Sequence, residues 1–228
     1  MAGLPEVNPP VETIRLPYAV PYFAQIASPE LASAIFVDGL DPAQDPRWSE
    51  SGAASPQEYA YWVERACGVA CLKMGVEALG GPVRSLLEWA RSGVEQGGYL
   101  VRRGADGNLH EVGWVHSALA KLAQGAGLSA ETRPASLAEI VVDLRLGRLV
   151  IASVSYEAGD DRLAITHRGG HLMVVIGAEV SESGPRAFLV NNPSGRRAEL
   201  QAGARLAADR FARAYSGRVI VIWNEKIS

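Results

Sequence analysis

Two cysteines, Cys67 and Cys71, lie one helical turn apart within residues 65–80, RACGVACLKMGVEALG. Apolar residues recur there every three or four positions and Gly-Gly-Pro follows at 80–82, so the segment is predicted to be a half-buried helix. At the start of a helix, unpaired N–H groups and the helix dipole favour a thiolate and lower the pKa of a cysteine. Cys67 is therefore the candidate nucleophile, whereas Cys71, deeper in the helix, is expected to pack in the core.

A cysteine nucleophile needs a base, and the base needs a group that orients it. Among the four histidines, His171 follows a Gly-Gly pair and begins an apolar run, GGHLMVVIG. An imidazole at such a strand end is held firmly and can face a cleft. The next run, RAFLVNNPSG, is predicted to return antiparallel and to bring Asn191 and Asn192 toward His171. Because one residue of register changes the face of a strand, spacing leaves both asparagines open.

The elements that must position these residues divide into a helical first half and a stranded second half. Capping residues and periodicity predict helices at Ser85–Ser92, at Glu111–Gln124, from a Ser136 cap to Gly147, and at Ala202–Tyr215. Apolar, β-branched runs predict four strands, LVIASVSY, HLMVVIGAEV, RAFLVNN and RVIVIW. Helices followed by strands indicate an α+β fold with a mostly antiparallel sheet.

Two segments depart from this regular pattern. Prolines at 5, 9, 10 and 17 favour an extended N-terminal arm over residues 1–17. Residues 26–58 are rich in Ser, Ala, Pro, Asp and Gly and lack sustained periodicity. A long, weakly structured segment of this kind is either a lid or binding loop or a plain surface insertion. The length of 228 residues predicts one domain, 1–228, that contains both segments.

Composition argues against several classes of function. The formal net charge is -3 and the Lys and Arg residues are scattered, so nucleic-acid binding is not expected. No apolar run approaches the length of a membrane span, and the first residues lack the features of a signal peptide. We therefore expect a soluble, cytoplasmic protein with no membrane partner, in which the cysteines serve chemistry or packing rather than a disulfide.

Three blocks in this order, ACGVACLKMGVEALGG, GGHLMVVIGAEV and FLVNNPSG, carry a resemblance to a known family. They resemble the Cys, Gly-His and Asp-Pro blocks of the bacteriocin-leader-processing cysteine peptidases, the double-glycine peptidase group of the papain-like superfamily. The resemblance covers roughly residues 18–25 and 66–223. Asparagine stands where aspartate is usual in the group, and CGV replaces the common CGP.

The resemblance implies a papain-like fold in which the helix that starts at the cysteine packs on the sheet. It implies Cys67 as nucleophile, His171 as base and Asn192 as the orienting residue. VPYFAQ is similar to the block whose glutamine completes the oxyanion hole in the family, which implies that role for Gln25. The implied activity is that of a cysteine peptidase or amide hydrolase on a peptide or peptide-like substrate, through a thioacyl-enzyme and without a cofactor.

Three alternatives remain open at this level. The same triad serves an acyltransferase or amide-forming enzyme when an amine replaces water as the acceptor. A peptidase-like domain can also bind a peptide without cutting it. Finally, the spacings of Cys67 with Cys71 and of His167 with His171 match short ligand pairs of structural zinc, although about a hundred residues separate the two pairs.

Overall fold

The computed structural model of the protein describes residues 10–104 and 107–226. The described residues form helices of 5 to 12 residues together with several short 3-10 turns. The helices are α1 (Ala32–Phe36), α2 (Pro56–Val63), α3 (Cys67–Ala78), α4 (Leu86–Glu95), α5 (His116–Gly125), α6 (Leu137–Arg145) and α7 (Ala208–Ala214). The strands are β1 (Glu12–Arg15), β2 (Tyr99–Arg103), β3 (Leu109–Trp114), β4 (Ser129–Pro134), β5 (Leu149–Val154), β6 (His171–Ser181), β7 (Gly184–Asn191), β8 (Ala204–Ala207) and β9 (Tyr215–Trp223).

Seven of these strands form one antiparallel sheet, six of them in the order β4-β9-β5-β6-β7-β8 and the seventh, β1, paired with β6. Strands β2 and β3 form a separate hairpin. The long strand β6 pairs with β5 along its first half and with β1 along its second half. The α+β prediction and its four apolar strands are confirmed.

The core lies where α3 crosses the centre of the sheet. Every residue of β5 is buried, so both faces of the sheet are covered there. Gly75 brings α3 close, since a Cβ at that position would lie 3.1 Å from Leu149 and 3.4 Å from Ile222. The papain-like resemblance implies a helix that starts at the cysteine and packs on the sheet. The structure contains this arrangement.

Two helices begin later in the chain than predicted. The helix predicted at Glu111–Gln124 begins only at His116, because residues 109–114 pair with 99–103 in the hairpin. The helix predicted at Ala202–Tyr215 opens as β8, which pairs with β7 before α7 begins. The first half is thus less helical than predicted, since tertiary pairing outweighs the local pattern in short, polar strands.

The N-terminal arm is extended where the structure describes it. Strand β1 pairs with the second half of β6, Glu12 opposite Val180 and Arg15 opposite Gly177. The Tyr18 hydroxyl donates to the Gly147 carbonyl from 3.0 Å and holds the chain after the arm. Residues 1–9 of the predicted arm lie outside the described residues.

Residues 26–58 differ from the weakly structured segment predicted from composition. They contain α1, three 3-10 turns and the first residues of α2, and they share a small apolar cluster with Tyr59 and Val63. Asp45 of this segment is buried and accepts hydrogen bonds from the Ser28 hydroxyl at 2.6 Å and the Tyr59 hydroxyl at 2.5 Å. Prolines and small polar residues here build turns around a buried carboxylate, which a search for periodicity does not detect.

Within residues 10–104 and 107–226, no helix combines the length and the apolar character that crossing a membrane requires.

Candidate active site

Cys67 is the first residue of α3, immediately after the short connection from α2. The Trp114 ring covers this connection and donates from Nε1 to the Arg65 carbonyl at 2.7 Å. Gly68 allows the ring to approach, because a Cβ there would lie 2.8 Å from it. Gly68, the residue after Cys67, therefore allows Trp114 to close this side of the site.

His171 is the first residue of β6 and lies opposite Val154 of β5. The two glycines before it, Gly169 and Gly170, have φ values of 77° and 90°. Other residues rarely adopt that backbone conformation, so the Gly-Gly pair lets the chain turn sharply into the strand. The imidazole is consequently held in a buried position at the end of the sheet.

Asn192 lies directly against the imidazole. Its Oδ1 is 3.0 Å from His171 Nε2, and the backbone N–H of Ser194 donates to the same Oδ1 from 3.2 Å. The Ser194 N–H identifies that atom as the amide oxygen, which only accepts. Nε2 therefore carries the proton, and Nδ1 is the basic nitrogen of His171.

Asn191, the other open asparagine, has different partners. Its Oδ1 accepts from the backbone N–H of Gly203 at 3.0 Å, and its Nδ2 donates to the Val20 carbonyl at 3.5 Å. Neighbouring residues of an extended chain point to opposite sides. Register thus brings Asn192, and not Asn191, to the imidazole.

Gln25 reaches the site although a long insertion separates it from Cys67. Its backbone N–H donates to the Pro193 carbonyl at 2.9 Å, and the Tyr22 hydroxyl donates to the Asn192 carbonyl at 3.0 Å. The segment that carries Gln25 is therefore tied to the turn that carries Asn192. The Gln25 side chain is buried, and its Nε2 donates to the Val63 carbonyl at 2.6 Å while Oε1 lacks a partner among the described residues.

Cys67 and His171 line two adjacent cavities. The first, of about 330 Å³, is also lined by Gln25, Asn192 and Phe36, the last from α1 of the 26–58 segment. The second, of about 300 Å³, lies on the side of the β2–β3 hairpin and is lined by aromatic and charged side chains of that hairpin. The thiol and the imidazole thus border both cavities.

Burial controls the protonation of both groups. Burial lowers the pKa of His171 to about 4, although the hydrogen bond with Asn192 acts in the opposite direction. Burial raises the pKa of Cys67 above the ordinary value of a thiol, although the N–H groups of Leu172, Gly68 and Cys67 favour the thiolate. The expectation that the helix start lowers the pKa of Cys67 is wrong, because desolvation outweighs these N–H groups. The pair is neutral at neutral pH.

Sequence reasoning missed two residues that position Asn192. The Ser194 hydroxyl lies 3.1 Å from His171 Nε2 and 3.3 Å from Asn192 Oδ1. A Cβ at Gly159 would lie 2.4 Å from Asn192 Nδ2, so the amide rests directly on that glycine. The sequence carries no signal for Gly159, which lies in a short turn far from both blocks.

The described residues contain no group of three His, Cys, Asp or Glu side chains able to hold a metal ion. Two residues of the alternative zinc set have other partners. The Cys71 thiol donates to the Leu172 carbonyl at 3.3 Å, and His167 Nδ1 lies 3.5 Å from the Glu157 carboxylate.

No family model matches the chain, and no curated protein matches it in sequence. Solved structures resemble it. The peptidase domain of Streptococcus ComA, a bifunctional ABC transporter involved in a quorum-sensing pathway, is 16% identical with a TM-score of 0.48, over 71% of this chain and 93% of that chain. A putative C39-like peptidase from Bacillus anthracis is 17% identical with a TM-score of 0.49, over 71% of this chain and 90% of that chain.

A third similar structure is the double-glycine-motif protease of an AMS/PCAT transporter, solved in complex with a leader peptide. It is 14% identical with a TM-score of 0.42, over 68% of this chain and 82% of that chain. The solved structures similar to this chain thus include C39 and double-glycine peptidases, the group that its sequence blocks resemble.

Proposed function

We propose that the protein is a cysteine peptidase or amide hydrolase that acts on a peptide or peptide-like substrate through Cys67, His171 and Asn192. One observation carries the proposal. Asn192 Oδ1 accepts the proton of His171 Nε2 at 3.0 Å, which leaves Nδ1 free to take a proton, and the imidazole lines the same cavity as the thiol.

In the first half of the reaction, His171 Nδ1 takes the thiol proton as Cys67 Sγ attacks the substrate carbonyl. The C–N bond then breaks, the imidazolium returns the proton to the leaving amine, and a thioacyl-enzyme remains. A neutral thiol and a neutral imidazole suit this sequence, because charge develops only when the substrate is in place.

Gln25 is proposed to hold the oxyanion together with the backbone N–H of Cys67. One N–H of its Nε2 is fixed by the Val63 carbonyl, which aims the amide and leaves the second N–H for the substrate oxygen. Donors that are fixed before the reaction stabilise the developing charge most effectively. Substituting Gln25 by Ala should lower the acylation rate by about 100-fold.

In the second half of the reaction, water attacks the thioacyl-enzyme with His171 as base, and the acid product leaves. An amine in place of water would give an amide, which is the chemistry of an acyltransferase. The partition between the two acceptors is a measurable property of the same intermediate.

The p-nitrophenyl ester of N-acetylglycine tests the proposal without knowledge of the natural substrate. The wild type should release a burst of nitrophenolate equivalent to the enzyme, and intact mass with peptide mapping should place the acyl group on Cys67. Cys67→Ser should lose the burst. Cys71→Ser is the matched control and should retain it, because Cys71 is buried away from both cavities.

Absence of a burst in the wild type, or an acyl group on Cys71, would contradict the proposal. Glycinamide added to the acylated enzyme distinguishes the acceptors. Acetylglycine as the main product supports a hydrolase, whereas acetylglycyl-glycinamide as the main product assigns acyl transfer to the same triad.

A further inference from the structure

We propose that Arg196 binds a carboxylate of the substrate in the first cavity, so that the substrates are peptide-like molecules with a carboxylate close to the bond that is cut. This inference rests on the proposed function, because it names the substrate class of that site. Arg196 lines the cavity that Cys67 and His171 also line.

Arg196 and the adjacent Arg197 contact different groups. The Arg196 guanidinium lies 5.5 Å from the centre of the Tyr156 ring, and among the described residues no carboxylate lies within ion-pair distance of it. Arg197 takes the nearby carboxylates instead, Asp160 at 3.4 Å and Glu199 at 2.7 Å. Within residues 10–104 and 107–226, the half-buried Arg196 is thus left as a cation without a counter-charge.

Two acidic side chains also line the first cavity, and neither neutralises the charge of Arg196. Asp160 is engaged by Arg197 and by the backbone N–H of Arg162 at 3.1 Å. Glu64 is exposed and lines both cavities, so water screens it. A carboxylate that enters the first cavity therefore meets an unpaired guanidinium, whose planar fork matches carboxylate geometry.

Arg196 also lies on the turn that follows Asn192, the residue that contacts the His171 imidazole. It follows Asn192 by four residues, across a turn in which Gly195 packs under the Leu200 carbonyl, 2.3 Å from where a Cβ would stand. Gln201 Nε2 donates to the Gly195 carbonyl at 3.0 Å and fixes the turn. A carboxylate held by Arg196 would thus be placed at a constant offset from His171, which aligns the scissile carbonyl with Cys67.

Two sources can supply the carboxylate, the C-terminus of a short peptide or an Asp or Glu side chain, and paired alkylating reagents distinguish them. N-iodoacetylglycine and N-iodoacetylglycinamide differ only in a C-terminal carboxylate. N-iodoacetyl-aspartamide, whose side-chain carboxylate is free, and N-iodoacetyl-asparaginamide differ only in a side-chain carboxylate. In each case Cys67 displaces iodide, a C–S bond forms, and His171 takes the thiol proton.

We expect the acid of one pair to label Cys67 about tenfold faster than its amide at low salt, which is typical of a hydrogen bond to a charged group. Arg196→Gln should abolish this preference and Arg196→Lys should retain part of it. Arg213→Gln, the matched control at an exposed arginine of α7, should leave it unchanged. The reagent pair whose acid labels faster than its amide identifies the source of the carboxylate.

Equal rates for acid and amide in both pairs, or a preference that persists in Arg196→Gln, would overturn the inference. Failure of the proposed function looks different, because then the labelling of Cys67 by acid and amide alike would rise with pH as for an isolated thiol, equally in the wild type and in His171→Ala.

Discussion

His171 Nε2 lies 3.0 Å from Asn192 Oδ1, and the backbone N–H of Ser194 donates to that same oxygen. The second contact matters as much as the first, because it prevents the amide from turning its NH₂ group toward the imidazole. The imidazole is thereby kept in the tautomer whose Nδ1 accepts a proton.

Asn192→Ala should lower the rate of acylation by about ten- to a hundredfold, since the imidazole loses the group that fixes its tautomer and orientation. Stopped-flow measurement of the nitrophenolate burst gives this rate directly. Asn192→Asp should retain more activity than Asn192→Ala, because a carboxylate also accepts from Nε2.

The matched control is Asn191→Ala, since Asn191 is the adjacent asparagine but bonds to Gly203 and Val20. It should reduce the free energy of unfolding by about 1 kcal/mol through its lost hydrogen bonds and leave the acylation rate nearly unchanged. Equal losses of rate in the two alanine variants would show that Asn192 has no special relation to the base.

Gly159→Ala should displace the Asn192 side chain from its position against the His171 imidazole. The added methyl group would lie 2.4 Å from Asn192 Nδ2 and 3.1 Å from Met173 Cε, so the amide must move off the imidazole. We expect a loss of acylation rate close to that of Asn192→Ala, and a loss of unfolding free energy of about 1–3 kcal/mol from overpacking.

Gly125→Ala is the control for Gly159→Ala, because a Cβ at Gly125 would have no atom within 4 Å apart from its chain neighbours and the backbone of its own helix. If Gly159 acts through Asn192, the double variant with Asn192→Ala should be no slower than Asn192→Ala alone. A wild-type acylation rate in Gly159→Ala would contradict this relation.

The central residues of the site were accessible from sequence because each stands at an element boundary with a local signature. Cys67 begins an amphipathic helix, and His171 follows a Gly-Gly pair that begins an apolar strand. The choice between Asn191 and Asn192 was not accessible by spacing. Two register shifts interrupt the pairing of β6 with β7, and such shifts leave no trace in the pattern of residue types.

Properties that depend on the whole environment could not be predicted. The helix start at Cys67 favours a thiolate, yet the surrounding protein raises the pKa of the thiol. Arg196 has no ion-pair partner in the part of the chain that the structure describes, because Arg197 pairs with the nearby carboxylates, and the sequence does not distinguish these two adjacent arginines. Within residues 26–58, the carboxylate that accepts the buried hydrogen bonds belongs to Asp45, one of several acidic residues in that stretch.

Asp45→Ala should loosen the 26–58 segment. It would leave without an acceptor the hydroxyl protons of Ser28 and Tyr59 and the backbone N–H of Arg47, which donates to Asp45 at 2.9 Å. We expect a loss of about 2–4 kcal/mol in the free energy of unfolding. Limited proteolysis should cut within 26–58 first, whereas exposed Asp38→Asn should behave as the wild type.

The same carboxylate makes the segment sensitive to acid. Burial acts to raise the pKa of Asp45, but its hydrogen bonds outweigh burial and the pKa is lowered. The pKa is thus lower in the folded protein than in the unfolded chain, so its stabilising contribution is present above about pH 4 and is lost as the pH falls below that. Proteolysis within 26–58 that does not increase in acid would contradict this role.

The central claim is that Cys67 and His171 act as one nucleophile–base pair. The pH dependence of Cys67 alkylation by iodoacetamide tests it most directly, with peptide mapping to separate Cys67 from Cys71. With the pKa of His171 at about 4 and that of Cys67 raised, the pair holds one proton across the neutral range. The fraction in the reactive thiolate–imidazolium form is then independent of pH.

We therefore expect the wild-type rate to be nearly flat between about pH 5 and pH 8 and to fall only as the imidazole becomes protonated near pH 4. In His171→Ala the rate should rise about tenfold per pH unit, as for an isolated thiol. A wild-type rate that rises in parallel with that of His171→Ala would show that the two residues do not share a proton and would contradict the account.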